Sequence, residues 1–521
     1  MITRLHSAAV EGINGYEVQV EVDARTVEDT GRFCVVGLPD AAVRESVQRV
    51  TSALTNSSFF RPGDMEVTVN LAPADVRKQG PGFDLPIALA LEMCIQHNYR
   101  DVPEAFKRRV PIDLDDWCLV GELALDGVVR GVRGMLPLAV AARDAGRKFM
   151  MVPQENAAEA AVVEGLTVYA VESLREAWEI LLNPSQFTPF QLEEAPMPLP
   201  SDVDFDEVKG QPYARRAMEI AAAGGHNLLM CGSPGSGKSM LASRLPTILP
   251  PMTQEEALET SKIHSVCGML PRVGGLLTRR PFRSPHHTIS DVGLMGGGTH
   301  ITPGEISLAH HGVLFLDELP EFARRTLETL RQPLESGYVT ISRASGSVDF
   351  PCAFMFIAAM NPCPCGYLGD SKHRCRCSPA DVTRYRKKIS GPLLDRFDII
   401  IEVPPVAPSS LLSKPDGESS ASIRARVVAA RERQLKRYAE TGAVCNARLS
   451  SKKLRQCCPL TAAQQQLLLA AVEQLGLSAR AFDRILRVAR TIADLAGCDT
   501  PTDAHIYEAI QFRQFESQLR G

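Results

Sequence analysis

Four short runs of the chain are apolar at nearly every position: His226-Asn-Leu-Leu-Met-Cys231, Gly312-Val-Leu-Phe-Leu-Asp317, Phe354-Met-Phe-Ile-Ala-Ala-Met-Asn361 and Ile399-Ile-Ile401. Runs this short and uniform predict buried strands. Between the second and third, Tyr338 to Phe350 alternates β-branched and polar residues around Gly346, the pattern of a hairpin. Ala214–Ala223 predicts a helix, and Leu477 to Arg490 places apolar residues at helical spacing.

Punctuation divides the chain. Five prolines between Asn183 and Pro200 read as an extended linker, and Pro404 to Ser422, carrying Pro, Ser, Asp and Gly, reads as a second. The expected layout is a domain over 1–182, a linker over 183–203, a core over 204–404, a linker over 405–422 and a helical lid over 423–521. For 521 residues, 45% of them hydrophobic, two to four domains are expected. No apolar stretch has transmembrane length, and Met-Ile-Thr-Arg-Leu-His-Ser lacks a signal-peptide pattern, so the expectation is a cytoplasmic chain with no membrane partner. A net charge of −4 gives no global pull toward nucleic acid, so any such contact must be local.

The first strand runs into Gly232-Ser233-Pro234-Gly235-Ser236-Gly237-Lys238-Ser239, which fits the phosphate loop G-x-x-x-x-G-K-[ST]. Glycines let backbone N–H groups turn inward around a β-phosphate, Lys238 spans the β- and γ-oxygens, and the Ser239 hydroxyl ligates Mg²⁺. The chain therefore reads as an ATP binder. Asp317 is placed to hold the Mg²⁺ and Glu318 to polarise the attacking water, a division of labour that points to hydrolysis. Asn361 either orients that water or simply ends a strand in a turn. Arg396, in Leu393-Leu-Asp-Arg-Phe-Asp398, is placed to reach a neighbouring subunit's γ-phosphate.

This order of motifs resembles an AAA+ ATPase of the magnesium-chelatase/MCM branch. Arg280-Pro-Phe-Arg-Ser-Pro-His-His287, Gly296-Gly-Gly298 and Pro303-Gly-Glu-Ile-Ser-Leu-Ala-His310 narrow it to the Mg-chelatase-like ComM/YifB family, over the whole chain. The resemblance implies an α/β fold: a P-loop AAA+ module with a helical lid, preceded by a Lon-protease-like α/β domain of the ribosomal-protein-S5 domain 2 class. It also implies a homo-hexameric ring using ATP and Mg²⁺ that drives branch migration of DNA during natural transformation. Arg480 sits where the family's sensor-two helix would bring an arginine to the bound γ-phosphate, while Arg484, Arg487 and Arg490 read as partners of acids or solvent. The competing class is a metal-insertion chaperone like the magnesium-chelatase motor subunit, which typically lacks this N-terminal domain and the cysteine cluster described below.

Lys78-Gln-Gly-Pro81-Gly82-Phe-Asp84, Gly131-Val-Arg133-Gly134 and Val152-Pro-Gln-Glu155-Asn156 carry the Lon likeness. The position expected for a nucleophilic serine is Gly82, and Arg133 is too basic to serve as a base. This argues against an ATP-dependent protease. Cys363, Cys365, Cys375 and Cys377 are four thiols among Gly, Pro and charged residues; they either close tetrahedrally on a structural Zn²⁺ or remain reduced and unliganded. In related motors a hairpin at 338–350 enters the pore, which would bring Arg343 to DNA phosphate; the alternative is a surface hairpin with a solvated arginine. Arg283 has the same two readings, a DNA contact or a loop brace.

Overall fold

Two large sheets form the two cores, each in its own unit of the computed structural model. One unit comprises residues 1–198 with 257–277, the other 199–256 with 278–521. The structure describes residues 2–27, 31–60, 65–98, 102, 107–192, 203–271, 275–298, 301–343, 346–370, 373–405, 417–439 and 444–520.

In the first unit seven strands lie in the order Phe33–Val36, Met65–Ala72, Asn14–Thr26, Thr3–Glu11, Trp117–Leu119, Phe149–Pro153, Thr167–Val171. Met65–Ala72 alternates buried and open positions, as a strand covered on one face requires. The cover is the helix Asp84–Asn98, whose Leu85, Ile87, Ala88, Leu89 and Leu91 are all fully buried. Of the stretch read as the first linker, Phe187 packs on this core and Phe190 N–H donates to Val168 O at 2.7 Å; residues 193–202 lie outside the described residues.

Segment 257–277 also belongs here, where the sequence reading had run the core unbroken over 204–404. Its Ser265 explains why: the hydroxyl donates to Glu159 and accepts from Leu136 N–H at 3.3 Å, and the Ser265 carbonyl accepts from Gly134 N–H at 3.0 Å.

The second unit holds a five-stranded, wholly parallel sheet in the order Phe282–Arg283, Val313–Leu316, Met355–Met360, Leu228–Cys231, Ile399–Glu402. Helices cover both faces of such a sheet, so its strands are apolar throughout rather than alternating. All residues of Val313–Leu316, Met355–Met360 and Leu228–Cys231 are buried. Because the strands run in one direction, their C-terminal ends bring Gly232, Asp317 and Asn361 to one edge. Asn227 and Asp398, just before their strands, mark the opposite edge.

The lid helices Ser420–Tyr438, Ala462–Gln474, Ala479–Leu495 and Asp503–Gln511 bury Ile423, Val427, Leu468, Ile485, Ile492 and Ile506 in the same core as the sheet. The first begins at Ser420 rather than 423 because Ser419 caps it, its side chain accepting from Ser422 N–H at 3.3 Å. Residues 406–416 of the second linker lie outside the described residues. The hairpin pairs Tyr338–Arg343 with Gly346–Pro351; its turn, 344–345, and the Arg343 side chain lie outside the described set.

Candidate functional site

Gly232 to Ser239 join the end of Leu228–Cys231 to the helix Lys238–Ile248. Gly235 and Gly237 take φ of +76° and +84°, which only glycine adopts without strain. A Cβ on Gly232 would stand 2.2 Å from Val403 O. Gln211 Nε2 braces the loop, donating to Ser236 O at 2.7 Å and to Pro404 O at 3.0 Å. Sequence reasoning gave Gln211 no role, because its partners lie far along the chain.

Lys238 Nζ lies 2.7 Å from Gly232 O, 3.0 Å from Ser233 O and 3.4 Å from Asn361 Oδ1. Burial pulls its pKa down, and Asp317 and Glu318 act against that shift. Ser239 Oγ–H donates to Asp317 Oδ2 at 2.5 Å, so a hydroxyl and a carboxylate oxygen converge, a hard-oxygen donor set that fits Mg²⁺. Glu318 follows in a left-handed conformation, φ +51°, with its carboxylate exposed and 3.7 Å from His287 Nδ1. The His287 ring lies 4.0 Å from that of His286, tilted by 34°, and meets Phe322 edge-on. The sequence signal for His287 was its place in the family-specific Arg280–His287 stretch; nothing local tied it to Glu318.

Arg396 is not with these groups. Its backbone carbonyl accepts from Asn227 Nδ2 at 3.0 Å, at the N-terminal edge of the sheet. Its Nη2 donates to Glu335 at 2.8 Å, and burial lowers its pKa, with Arg484, Arg480 and Arg331 adding to the effect and Glu335 opposing it. Arg480, expected at the bound γ-phosphate, stands within electrostatic reach of Arg396. Arg484 donates to Asp398 at 2.8 Å and Arg490 to Asp494 at 2.6 Å, as acid partners. Asp398 is a hub that sequence reasoning missed: it also meets His226 Nδ1 and Asn227 N, both at 3.3 Å. Arg283 holds Glu305 with two bonds of 2.6 and 2.7 Å, the geometry of the loop-brace reading.

The four cysteines converge. Cys363 Sγ lies 3.4 Å from Cys365 and 3.7 Å from Cys375, and all four sulfurs, Cys377 included, fall within 4.8 Å of one another. Backbone N–H groups of Arg376, then Tyr367, hold the Cys365 thiol down to about 6. The loop also leans on the nucleotide site, because a Cβ on Gly366 would stand 2.6 Å from Pro234 Cδ. In the first unit two residues of the Lon-like motifs are engaged in internal hydrogen bonds. Asp84 is buried under Ser46, Arg49 and Leu123 N–H, and Asn156 exchanges two hydrogen bonds with the Val132 backbone.

A phosphate loop, a carboxylate strand separated from it by the strand ending in Asn361, and a helical lid define an AAA+ module. The family model "Magnesium chelatase, subunit ChlI" matches residues 204–411, its C-terminal counterpart residues 417–513, and "Subunit ChlI of Mg-chelatase" residues 20–156. The YifB protein of Escherichia coli (strain K12) is 42% identical over 99% of this chain and 97% of its own length. Competence protein ComM of Haemophilus influenzae is 42% identical over 98% of this chain and 97% of its own. Lon protease 2 of Bacillus subtilis matches at 25% identity over 36% of this chain and 35% of its own. The chain belongs to the Mg-chelatase-like ComM/YifB family. Among the described residues no helix is long and apolar enough to cross a membrane.

Proposed function

We propose that this protein hydrolyses ATP as a homo-hexameric ring and uses the energy to move DNA, acting as a branch-migration motor in the uptake and integration of incoming DNA. In this reading Ser239 and Asp317 hold Mg²⁺, which neutralises phosphate charge. Lys238 spans the terminal phosphates, Glu318 polarises the water and Asn361 orients it. Arg396 and Arg480 act on the nucleotide of the adjacent chain.

The observation that carries the ring is the separation of Arg396 from Lys238. A parallel strand of four residues spans ~13 Å, and Arg396 stands at its start while the phosphate loop stands at its end. An arginine so placed completes a site by reaching out of its own chain. DNA as substrate is supported by the relation to a protein named for competence. Gly82 and the internal hydrogen bonds of the Lon-like motifs support a non-proteolytic first unit, and the four converging sulfurs support a structural Zn²⁺.

The family models carry the name of a magnesium-chelatase subunit, which favours a metal-insertion motor as the second reading. ATPase rate measured with and without forked, four-way-junction and single-stranded DNA decides between them. Stimulation of tenfold or so by branched DNA is expected; a rate indifferent to every DNA would overturn the DNA-motor reading.

A further inference from the structure

We infer that the second unit carries an anion site, apart from the nucleotide loop, that takes a free phosphate-class oxyanion. At the N-terminal edge of the parallel sheet a cavity of about 90 Å³ is lined by Arg396, Arg448, Arg484 and Arg487, with Asn227 and Asp398 among its walls. One water needs about 10–15 Å³ by this measure, so a four-oxygen anion has room, whereas pockets for nucleotide-sized ligands are about 300–1,000 Å³.

The charge inside does not balance. Asp398 is the carboxylate lining the cavity, and it already receives Arg484 at 2.8 Å and the His226 ring at 3.3 Å. Glu335 takes Arg396 Nη2 from an exposed position. Among the described residues no carboxylate is hydrogen-bonded to Arg448 or Arg487: Arg487 Nη2 donates to Leu449 O at 2.8 Å and Arg448 Nη2 to Phe354 O at 3.4 Å, both neutral carbonyls. The Nε atoms of Arg396 and Arg487 are buried with no hydrogen-bond partner.

A buried donor without an acceptor is destabilising, and more so when it is charged. Water in the cavity would satisfy the N–H groups and leave the cations uncompensated. A dianion does both, and the planar guanidinium fork matches its oxygens. A free dianion fills a cavity of this size whole, whereas a phosphate built into a nucleotide or a strand would enter only by its tip. Neither DNA binding nor the action of Arg396 on a neighbour enters this argument.

The test uses the full chain carrying Lys238→Ala, so that the phosphate loop does not contribute. Thermal unfolding is followed against orthophosphate, and separately sulfate, at ionic strength held constant with chloride. The expected result is a saturable rise in midpoint, with the half-saturating concentration raised at least tenfold by Arg448→Gln and by Arg487→Gln. Should Arg487→Gln fail to fold, Arg448→Gln at the exposed mouth carries the comparison, with its melting in chloride as the folding control. Absence of a saturable phosphate response, or one unmoved by Arg448→Gln, overturns the site. A response to nucleotide or DNA with none to orthophosphate overturns its assignment to the free ion.

Discussion

Ser239 and Asp317 lie 78 positions apart yet share a 2.5 Å hydrogen bond. Lys238 reads the same strand ends from the other side, through Asn361. Glu318 is held in the left-handed region, which costs an ordinary residue ~1–2 kcal/mol, and such a cost persists where surrounding structure fixes a group for a task. The roles then separate by mutation. Glu318→Gln should bind ATP with near-normal affinity and hydrolyse it ~10²–10⁴-fold more slowly, while Lys238→Ala should lose binding itself. Nucleotide titration beside steady-state hydrolysis checks this, and equal affinities in the two variants would contradict it. This part of the site was legible because its spelling is local: a glycine loop, a carboxylate pair and an amide each end a recognisable strand. Asp398 and Gln211 were not, since their partners stand 25 to 193 positions away and no short motif encodes such meetings.

At the scale of elements, the helix Ala479–Leu495 is tied to the sheet through Asp398. Burial works against the charge of Asp398, but Arg484 and then His226 overcome it and hold the carboxyl well below the ordinary range. A folded pKa below the unfolded value of about 3.9 contributes stability that is present above that value and lost as pH falls through the folded one. Asp398→Asn should therefore cost about 3–5 kcal/mol near neutrality, with Arg484 left facing no charge, and the gap from wild type should narrow below about pH 4. Urea midpoints across pH measure it; a gap constant down to pH 3 would remove Asp398 from the account.

The cysteine loop gives a second prediction at this scale. Purified protein should carry about one Zn²⁺ per chain, released by joint Cys375→Ser and Cys377→Ser, with faster proteolysis between Cys363 and Cys377. Because Gly366 packs on Pro234, nucleotide affinity should weaken along with it. Metal analysis finding no zinc, with all four thiols freely alkylated in the folded chain, would leave the cysteines as loop residues. Four strands of the second unit, the hairpin and the helix around Leu477 to Arg490 were readable from periodicity, whereas the seven strands of the first unit and the transfer of 257–277 to it were not. A helix packs equally well on either side of a domain boundary, and side-chain partners such as Glu159 for Ser265 decide which.

For the molecule as a whole, the proposed function places the two halves of one reaction at the two edges of one parallel sheet. Mixing Arg396→Ala chains with Glu318→Gln chains should restore part of the hydrolysis that each lacks, since some interfaces pair an intact arginine with an intact carboxylate. Failure at every ratio, with mixed assemblies verified, would confine Arg396 to packing.

The same arrangement fixes how the rate depends on concentration. On the proposed function, an isolated chain has its phosphate loop at one edge and Arg396, paired with Glu335, at the other, so its own arginine does not complete its own site. Hydrolysis should therefore rise faster than linearly with protein concentration, and specific activity should fall on dilution below the assembly range. A Lys238→Ala chain, inert alone but with Arg396 intact, should then act as an activator of dilute wild-type protein. Specific activity unchanged over a thousandfold dilution would mean that each chain completes its own site.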